Sequence, residues 1–418
     1  MSATPKTQHR EVVKLDRVPL PIEAARIGAT GWQITRTGAR VLTKLPRRGS
    51  LQQKIIKELP KTFSDLGPTY VKFGQIIASS PGAFGEPMSR EFRSLLDRVP
   101  PADPKEVRKL LVEELGEEPE KLFKTFEEKP FASASIAQVH YATLHSGENV
   151  VVKIQRPGIR RRVAADLQIL KRGARIVELA KLGQRLSAQD VVADFADNLA
   201  EELDFRLEAQ SMDAWVSHMH ASPLGRNIRV PQVYWDLTSE RVLTMERIEG
   251  TRIDDVATLR KKGYVDDDGK IVFFDFGIMG RLDPRTRWLL RELVYALLVK
   301  KDHAAAGKIV VLMGAVGTTK PEGQAAKDLE QFATPLTMKT LGEMSYAEIG
   351  RQLSALADAY DVKLPRELVL IGKQFLYVER YMKLLAPNWQ MMSDPQLTGY
   401  FANFMVEVSR EHNEELDA

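Results

Sequence analysis

Near residue 125 the hydrophobic period of this chain changes, and that change constrains the fold more than any other feature. Upstream, stretches such as "ADPKEVRKLLVEELG" repeat apolar residues every three to four positions, the spacing of one helix face. Asp103 reads as the N-cap of that helix, Pro104 as its first residue and Gly116 as its stop. Then "SIAQVHYATL" and "ENVVVKIQ" alternate or run apolar with β-branched residues, and "HSG" between them reads as a hairpin turn. Two long helical patterns follow, "AADLQILKRGARIVELAKL" and "SAQDVVADFADNLAEELDFRLEAQSMDAW", the second opened by a Ser187–Asp190 capping box. "RVLTMERIEG" and "KIVFFDF" return to strand, with "DDDGK" as a hairpin turn leading into the last of them. From Asp283-Pro284 onward the pattern is helical to the end. A small antiparallel sheet early and helices late predict an α+β fold.

The 418 residues allow two or three domains, and 44% hydrophobic with 28% charged residues fits soluble globular cores. The absence of cysteine excludes disulfides, thiolate metal sites and cysteine nucleophiles, and agrees with a reducing cytoplasm. No run of about 18 uncharged apolar residues occurs, so no membrane-spanning helix is expected. The start, "MSATPKTQHREVVKLDRV", lacks the apolar centre of a signal peptide.

Charge is uneven: residues 1–60 hold 12 Lys+Arg against 4 Asp+Glu, while the whole chain carries +4. "RIGATGWQITRTGARVLTKLPRRG" mixes apolar residues, one tryptophan and cations, a composition suited to the anionic inner face of a membrane. A solvated arm, or a helix packed on the body, is the other reading. Nucleic acid is not an expected partner, because no interleaved aromatics offer a stacking platform.

Two residues point to phosphoryl chemistry. Lys153, in "VVVKIQRPG", sits on an apolar strand, where a kinase-type lysine meets the α/β-phosphates of ATP and pairs with a helix glutamate. A strand-edge lysine snorkelling to solvent is the alternative. Asp275, in "FFDFG", is a carboxylate following a buried strand, the position of a Mg²⁺ ligand. Ser133-Ala134-Ser135 precedes the second strand, and small residues there let backbone N–H groups approach phosphate. No G-x-G-x-x-G is present, so a plain hairpin turn reads equally well.

Together these residues resemble the UbiB/AarF (ABC-one) atypical kinases, a family associated with isoprenoid-quinone biosynthesis and lipid homeostasis. "LGPTYVKFGQIIASSPGAFGEPMSREFRSLLDRVPP" carries the K-x-G-Q signature as Lys72, Gly74 and Gln75. "ASASIAQVH" matches the alanine-rich loop through Ala134 and Ser135, and "EELDFRLEA" matches the E-x-D signature through Glu202 and Asp204. Glu208 falls where the family's partner of the strand lysine lies, and "VLTMERIEG" resembles the hinge strand, with adenine held near Glu246 to Ile248. The resemblance covers roughly residues 50 to 310.

The resemblance implies a two-lobed kinase-like fold in four parts. These are a basic extension (1–60), a helical extension with K-x-G-Q (61–124), a β-rich lobe (125–250) and a shortened helical lobe (251–418). It implies ATP or ADP and Mg²⁺ as cofactors, ATPase or lipid/small-molecule kinase activity, a lipid or quinone-precursor ligand, and a peripheral membrane location. Lys72, Glu202 and Asp204 are expected to form a charged latch whose buried members must be paired. Lys153 and Asp275 are expected to converge from separate lobes, under the helices around Gln75.

One part of the pattern is missing. The family carries a long helix and an H-x-D-x-H-P-G-N segment before the last strands. Its aspartate positions the reacting group and its asparagine holds a second Mg²⁺. Here 30 positions separate Met245 from Asp275, and "TRIDDVATLRKKGYVDDDG" between them has no His, Asn or Pro. A helix of about 20 residues spans about 30 Å and does not fit there with a loop, so a deletion is inferred. Asp266, Asp267 and Asp268 read as a solvated turn, with a metal-binding rescue as the alternative. Whether the chain is an enzyme, or a nucleotide-binding pseudokinase scaffold, stays open at this point.

Overall fold

Proline and aspartate set helix starts in the computed structural model, which describes residues 19–43, 51–79, 84–93, 95, 99–179, 187–220, 223–263, 271–277, 282–313, 322–360, 362, 378–379, 381–391, 394, 395, 397 and 399. The N-terminal helices are α1 (Leu20–Thr43), α2 (Leu51–Leu66), α3 (Pro68–Ser79), α4 (Glu86–Phe92), α5 (Pro104–Leu115) and α6 (Pro119–Leu122). Asp103 caps α5 by accepting from Lys105 N at 2.9 Å, and Gly116 ends it at φ +79°, as the sequence predicts.

The period change produces β1 (Thr125–Phe126), β2 (Ala132–Ser133), β3 (Ala137–Thr143) and β4 (Asn149–Gln155). Beyond them lie α7 (Ile159–Leu179), α8 (Ala188–Glu202), α9 (Phe205–His220), β5 (Ile228–Arg229) and β6 (Val242–Glu246). The main sheet is antiparallel in the order β1-β3-β4-β6, with β2 also on β3. Gly147, at φ +106°, closes the "HSG" turn between β3 and β4.

Strand alternation decides which residues reach the core. Val150, Val152 and Ile154 of β4 are fully buried in a cluster with Val107, Leu110 and Leu111 of α5. Their neighbours Val151, Lys153 and Gln155 necessarily face the other side of the sheet. Period two alone therefore turns Lys153 away from the apolar cluster.

Two sequence expectations need correction. The stretch from Ser187 to Trp215 is not one helix but α8 and α9, broken at Leu203-Asp204. Phe205 N turns out to Glu240 O (3.0 Å), and Asp204 Oδ1 accepts from Arg206 N (3.1 Å), starting a new helix. Ser187 does open α8, accepting from Asp190 N at 3.1 Å. Likewise, only Ile271–Val272 of "KIVFFDF" is strand; this β7 pairs in parallel with β5 rather than joining the main sheet. Phe273 N still donates to Arg229 O (3.1 Å), but Phe273 and Phe274 are exposed and the ladder stops.

The chain divides into two units, one of Met1–Glu249 with Asp267–Gly277 and one of Gly250–Asp266 with Ile278–Ala418. Asp275 thus belongs to the same unit as Lys153, not to a separate lobe, because its strand pairs with β5. The second unit holds α10 (Val256–Lys261), β7's downstream helices α11 (Pro284–Val294), α12 (His303–Met313), α13 (Glu322–Met338) and α14 (Tyr346–Ala359), with a π-turn at Tyr295–Lys300. Asp255 and Asp283 cap α10 and α11, and Gly263 ends α10's run at φ +76°. Ala306, Val310, Ala325, Leu329 and Tyr360 form its core. Residues 1–18, 44–50 and the Asp266–Asp268 triplet lie outside the described residues. Among the described residues, no helix is long and apolar enough to cross a membrane.

Candidate functional site

The Asp204 cap fixes where α9 starts, and α9 carries the first half of the site. Phe205 and Glu208 are three residues apart and so share one helix face. Lys153 Nζ lies 2.7 Å from Glu208 Oε2 and 3.0 Å from Oε1, and 4.9 Å from the centre of the Phe205 ring. Glu208 is only 7% exposed, and this ammonium is the partner its buried carboxylate takes. Gln155, two residues along β4, donates from Nε2 to Leu203 O (2.7 Å) and Glu240 O (3.1 Å), bolting the strand to the helix start. Lys153 is thus a partly exposed ammonium held on the face of the sheet away from the apolar cluster.

The other half comes from the segment after β7. Asp275 is exposed, and its Oδ1 accepts from Gly277 N at 3.1 Å. Phe276 is buried at 4% exposure and meets Trp215 of α9 edge-on, 5.7 Å between ring centres. Phe273 leans on the same indole at 5.3 Å. Glu208 and Trp215 are seven residues apart, two turns of one helix, so α9 touches both the lysine and the Asp-Phe-Gly segment. Asp275 is one accessible carboxylate, which suits Mg²⁺ when phosphates and water supply the other oxygens. Among the described residues, no group of three or more metal-ligating side chains gathers.

The remaining signature residues separate into those brought together and those not. Lys72 Nζ pairs with Glu202 Oε2 at 2.7 Å. Asp204 does not complete the expected three-member latch; its oxygens take Arg206 at 2.7 and 2.9 Å while capping α9. A Cβ at Gly74 would stand 2.3 Å from Leu95 Cδ1 and 2.8 Å from Phe92 Cδ1, so that position admits only hydrogen. Gln75, next to it on α3, is half-buried. Ala134 N donates to Ala137 O (2.8 Å), and Arg156 grips the loop through Ala134 O (2.9 Å) and Ser133 Oγ (2.7 Å). The Ala134 amide is thereby committed inside a hairpin turn, and Ser135 is fully buried beside it. In the hinge stretch, Glu246 N donates to Gln232 O (2.8 Å) and its carboxylate takes Arg229 (2.6 Å). Ile248 follows where the chain leaves the sheet.

Sequence reasoning missed two buried polar systems. Asp166 of α7, wholly buried, accepts from Arg26 of α1 (2.5 and 2.8 Å) and from Thr69 of α3 (2.8 Å). Burial pushes its carboxyl above the usual range while the Arg26 guanidinium and the Thr69 hydroxyl pull it back. The available signal was an acid on the apolar stripe of "AADLQIL". In the sheet, Gln138 Oε1 accepts from Ala102 N (2.9 Å), Gln138 Nε2 donates to His140 Nε2 (2.8 Å), and His140 Nδ1 donates to Glu127 O (2.7 Å).

Comparison with known proteins decides the family. Residues 94–268 and 263–310 match the ABC1 atypical kinase-like domain, and residues 329–390 match the UbiB helical domain. The chain belongs to the ABC1 atypical kinase-like family. Within that family it is 77% identical to the Mycobacterium tuberculosis protein named Uncharacterized protein Rv0647c, across 98% of this chain and 91% of that one. An Arabidopsis thaliana relative, named Uncharacterized aarF domain-containing protein kinase, chloroplastic, is 33% identical, covering 81% of this chain and 74% of its own. The Probable protein kinase UbiB of Azotobacter vinelandii is 31% identical over 82% and 70%. A solved chain titled as the complex of Rv3197 with erythromycin from Mycobacterium tuberculosis aligns at a TM-score of 0.48 and 21% identity, covering 77% of this chain and 92% of that one.

The ABC1 match comes in two pieces that meet at residues 263–268, within the stretch where the catalytic loop is missed. The alignment with the mycobacterial relative runs to 444 positions, of which 98% of 418 residues fills about 410, leaving about 34 without a residue here.

Proposed function

We propose that this ABC1-family protein binds Mg²⁺ with ATP or ADP in a kinase-like cleft built around Lys153. The 2.7 Å Lys153–Glu208 pair carries the reading, because a lysine one-quarter exposed and held by a buried glutamate has no packing role that a hydrocarbon would not fill better. Lys153 would neutralise the α/β-phosphates, and Glu208 would keep the ammonium aimed. Asp275 would hold Mg²⁺, which would supply positive charge against the phosphates. Backbone near Glu246 to Ile248 would take adenine. By family, the acceptor class is a small molecule or lipid connected with isoprenoid-quinone or membrane-lipid metabolism, and the reaction is ATP hydrolysis or phosphoryl transfer.

A second reading, a pseudokinase scaffold that binds nucleotide without turning it over, is favoured by the missing loop. A positioned acid/base group commonly contributes about 10²–10⁴-fold to rate, and here a second metal ligand would be lost with it. Calorimetry with Mg·ADP on the wild type, Lys153→Met and Asp275→Asn tests the shared claim: binding in the wild type, at least about tenfold weaker in each variant (about 1.4 kcal/mol). No heat from the wild type would end it. Steady-state ATPase on the wild type and Asp275→Asn then separates the readings, since equal background rates leave the scaffold and a clear difference leaves the enzyme.

A further inference from the structure

Helix α1 is inside out. Of its charged residues, Glu23, Arg26 and Arg40 turn inward, and Thr30 and Thr37 are buried with them at 6% and 8% exposure. Arg26 ends on the buried Asp166, Thr37 Oγ1 meets Thr62 Oγ1 at 2.6 Å, and Arg40 reaches Asp65 of α2 at 3.6 Å. Val41 is buried at 5% and Ile22 half-buried, but the other large hydrophobic residues face outward: Leu20 is 80% exposed, Ile27 45%, Trp32 67%, Ile34 62% and Leu42 62%. Between them stand Ala24, Gly31 and Gly38, and a Cβ at either glycine would meet no heavy atom within 4 Å. Leu20, Ile27 and Ile34 recur every seven residues, so they form one stripe along the helix. Arg36 is the one charged residue on the exposed side. A surface helix ordinarily shows the opposite polarity.

We propose that the outer face of α1 lies flat on an anionic lipid surface, with the polar face serving as the bolt that fixes it to the protein body. Charge selects the occupant. Cations flank the apolar stripe in sequence at both ends, Lys14 and Arg17 before it and Lys44, Arg47 and Arg48 after it, within a segment that carries 12 Lys+Arg and 4 Asp+Glu. A second copy on this face would bring two such segments together, whereas anionic headgroups are attracted by both ends at once. Trp32, 67% exposed, lies on the opposite edge of the exposed face from Ile27 and Ile34, across the small residues, and an indole there suits the headgroup level. At 24 residues the helix is about 36 Å long, and its apolar face is shallow enough to enter only the outer part of a leaflet. The C-terminal end of α7 also exposes apolar residues. Arg172 bonds Glu23 across the two helices, and one turn further Ile176 and Leu179 are 66% and 84% exposed.

This inference is independent of nucleotide binding, which calorimetry scores separately. The full-length protein is floated with vesicles of phosphatidylcholine alone and with added phosphatidylglycerol, beside Ile27→Glu/Ile34→Glu and Arg36→Glu/Arg47→Glu. Both positions of the first variant are exposed, so a native melting curve verifies its fold. The expected result is binding to the anionic vesicles, weakened by salt, about tenfold weaker in either variant and tenfold again in phosphatidylcholine alone. Brominated lipid is expected to quench the wild type more than Trp32→Phe. Absence of vesicle binding overturns the proposal. So does a dimer by light scattering that Ile27→Glu/Ile34→Glu dissolves, which would assign the face to a second copy.

Discussion

Lys72 of α3 reaches Glu202, the last residue of α8, with 2.7 Å between Nζ and Oε2 and both side chains about one-fifth exposed. The contact ties the K-x-G-Q helix to the turn from which α9 departs, six residues before the glutamate that holds Lys153. A K-x-G-Q residue is therefore joined to the E-x-D segment by a direct ion pair. Exposure screens it, so Lys72→Ala and Glu202→Ala are each expected to lower stability by about 0.5–1 kcal/mol, with most of it shared. A double-mutant cycle read by thermal melting checks this; a coupling of zero would mean that the two charges do not support one another.

Gly74→Ala is expected to destabilise by about 1–3 kcal/mol, because its methyl would enter space already filled by Leu95 and Phe92. Gly173→Ala in α7 is the control, with no heavy atom within 4 Å of the new methyl. There the helix gains up to about 1 kcal/mol from alanine's propensity. Urea melts of the two variants should move in opposite directions.

His140 makes stability pH-dependent. It is fully buried, and burial holds its pKa below the ordinary histidine value, with the bond to Glu127 O opposing. Its Nε2 accepts from the Gln138 amide, so a proton there would set donor against donor. A folded-state pKa lower than the unfolded one means that the unfolded chain binds the extra proton. Stability is thus complete above about pH 6.5 and falls as pH drops through the window below it. Melting temperature against pH should slope there in the wild type and flatten in His140→Gln.

Asp166→Ala is expected to cost roughly 3–5 kcal/mol, since it strips a buried carboxylate from Arg26 and Thr69 together. Limited proteolysis should then release the segment containing α1 before the rest of the protein unfolds. Simultaneous loss of all fragments would contradict the bolt.

Grafting the mycobacterial relative's residues into the junction between Gly263 and Ile271 tests the deletion. If the missing segment is the catalytic loop, ATPase activity should rise by about 10²–10⁴-fold. An unchanged rate with nucleotide binding intact would place the block elsewhere.

Much of this was legible in the sequence. The strands from Ala137 to Gln155, the Asp103 and Asp283 caps and the Lys153–Glu208 pair follow from alternation, capping chemistry and family motifs. Three features were not. The break at Leu203-Asp204 is hidden because Asp204 serves a helix start as readily as a helix interior in a charged stretch. The β5–β7 pair is two residues long on each side, too short for any period to show. Asp166 looks misplaced on an apolar stripe until Arg26 arrives from 140 residues away.

The indole of Trp215 gives α9 the character of a lever. One end of the rod grips the Lys153 ammonium and the other packs on the ring next to the Asp275 carboxylate, about 10 Å apart. Any roll of the rod displaces both ends together. A ligand bound at Asp275 would therefore be linked to the grip on Lys153 through one helix, and substituting Trp215 by alanine would weaken that link.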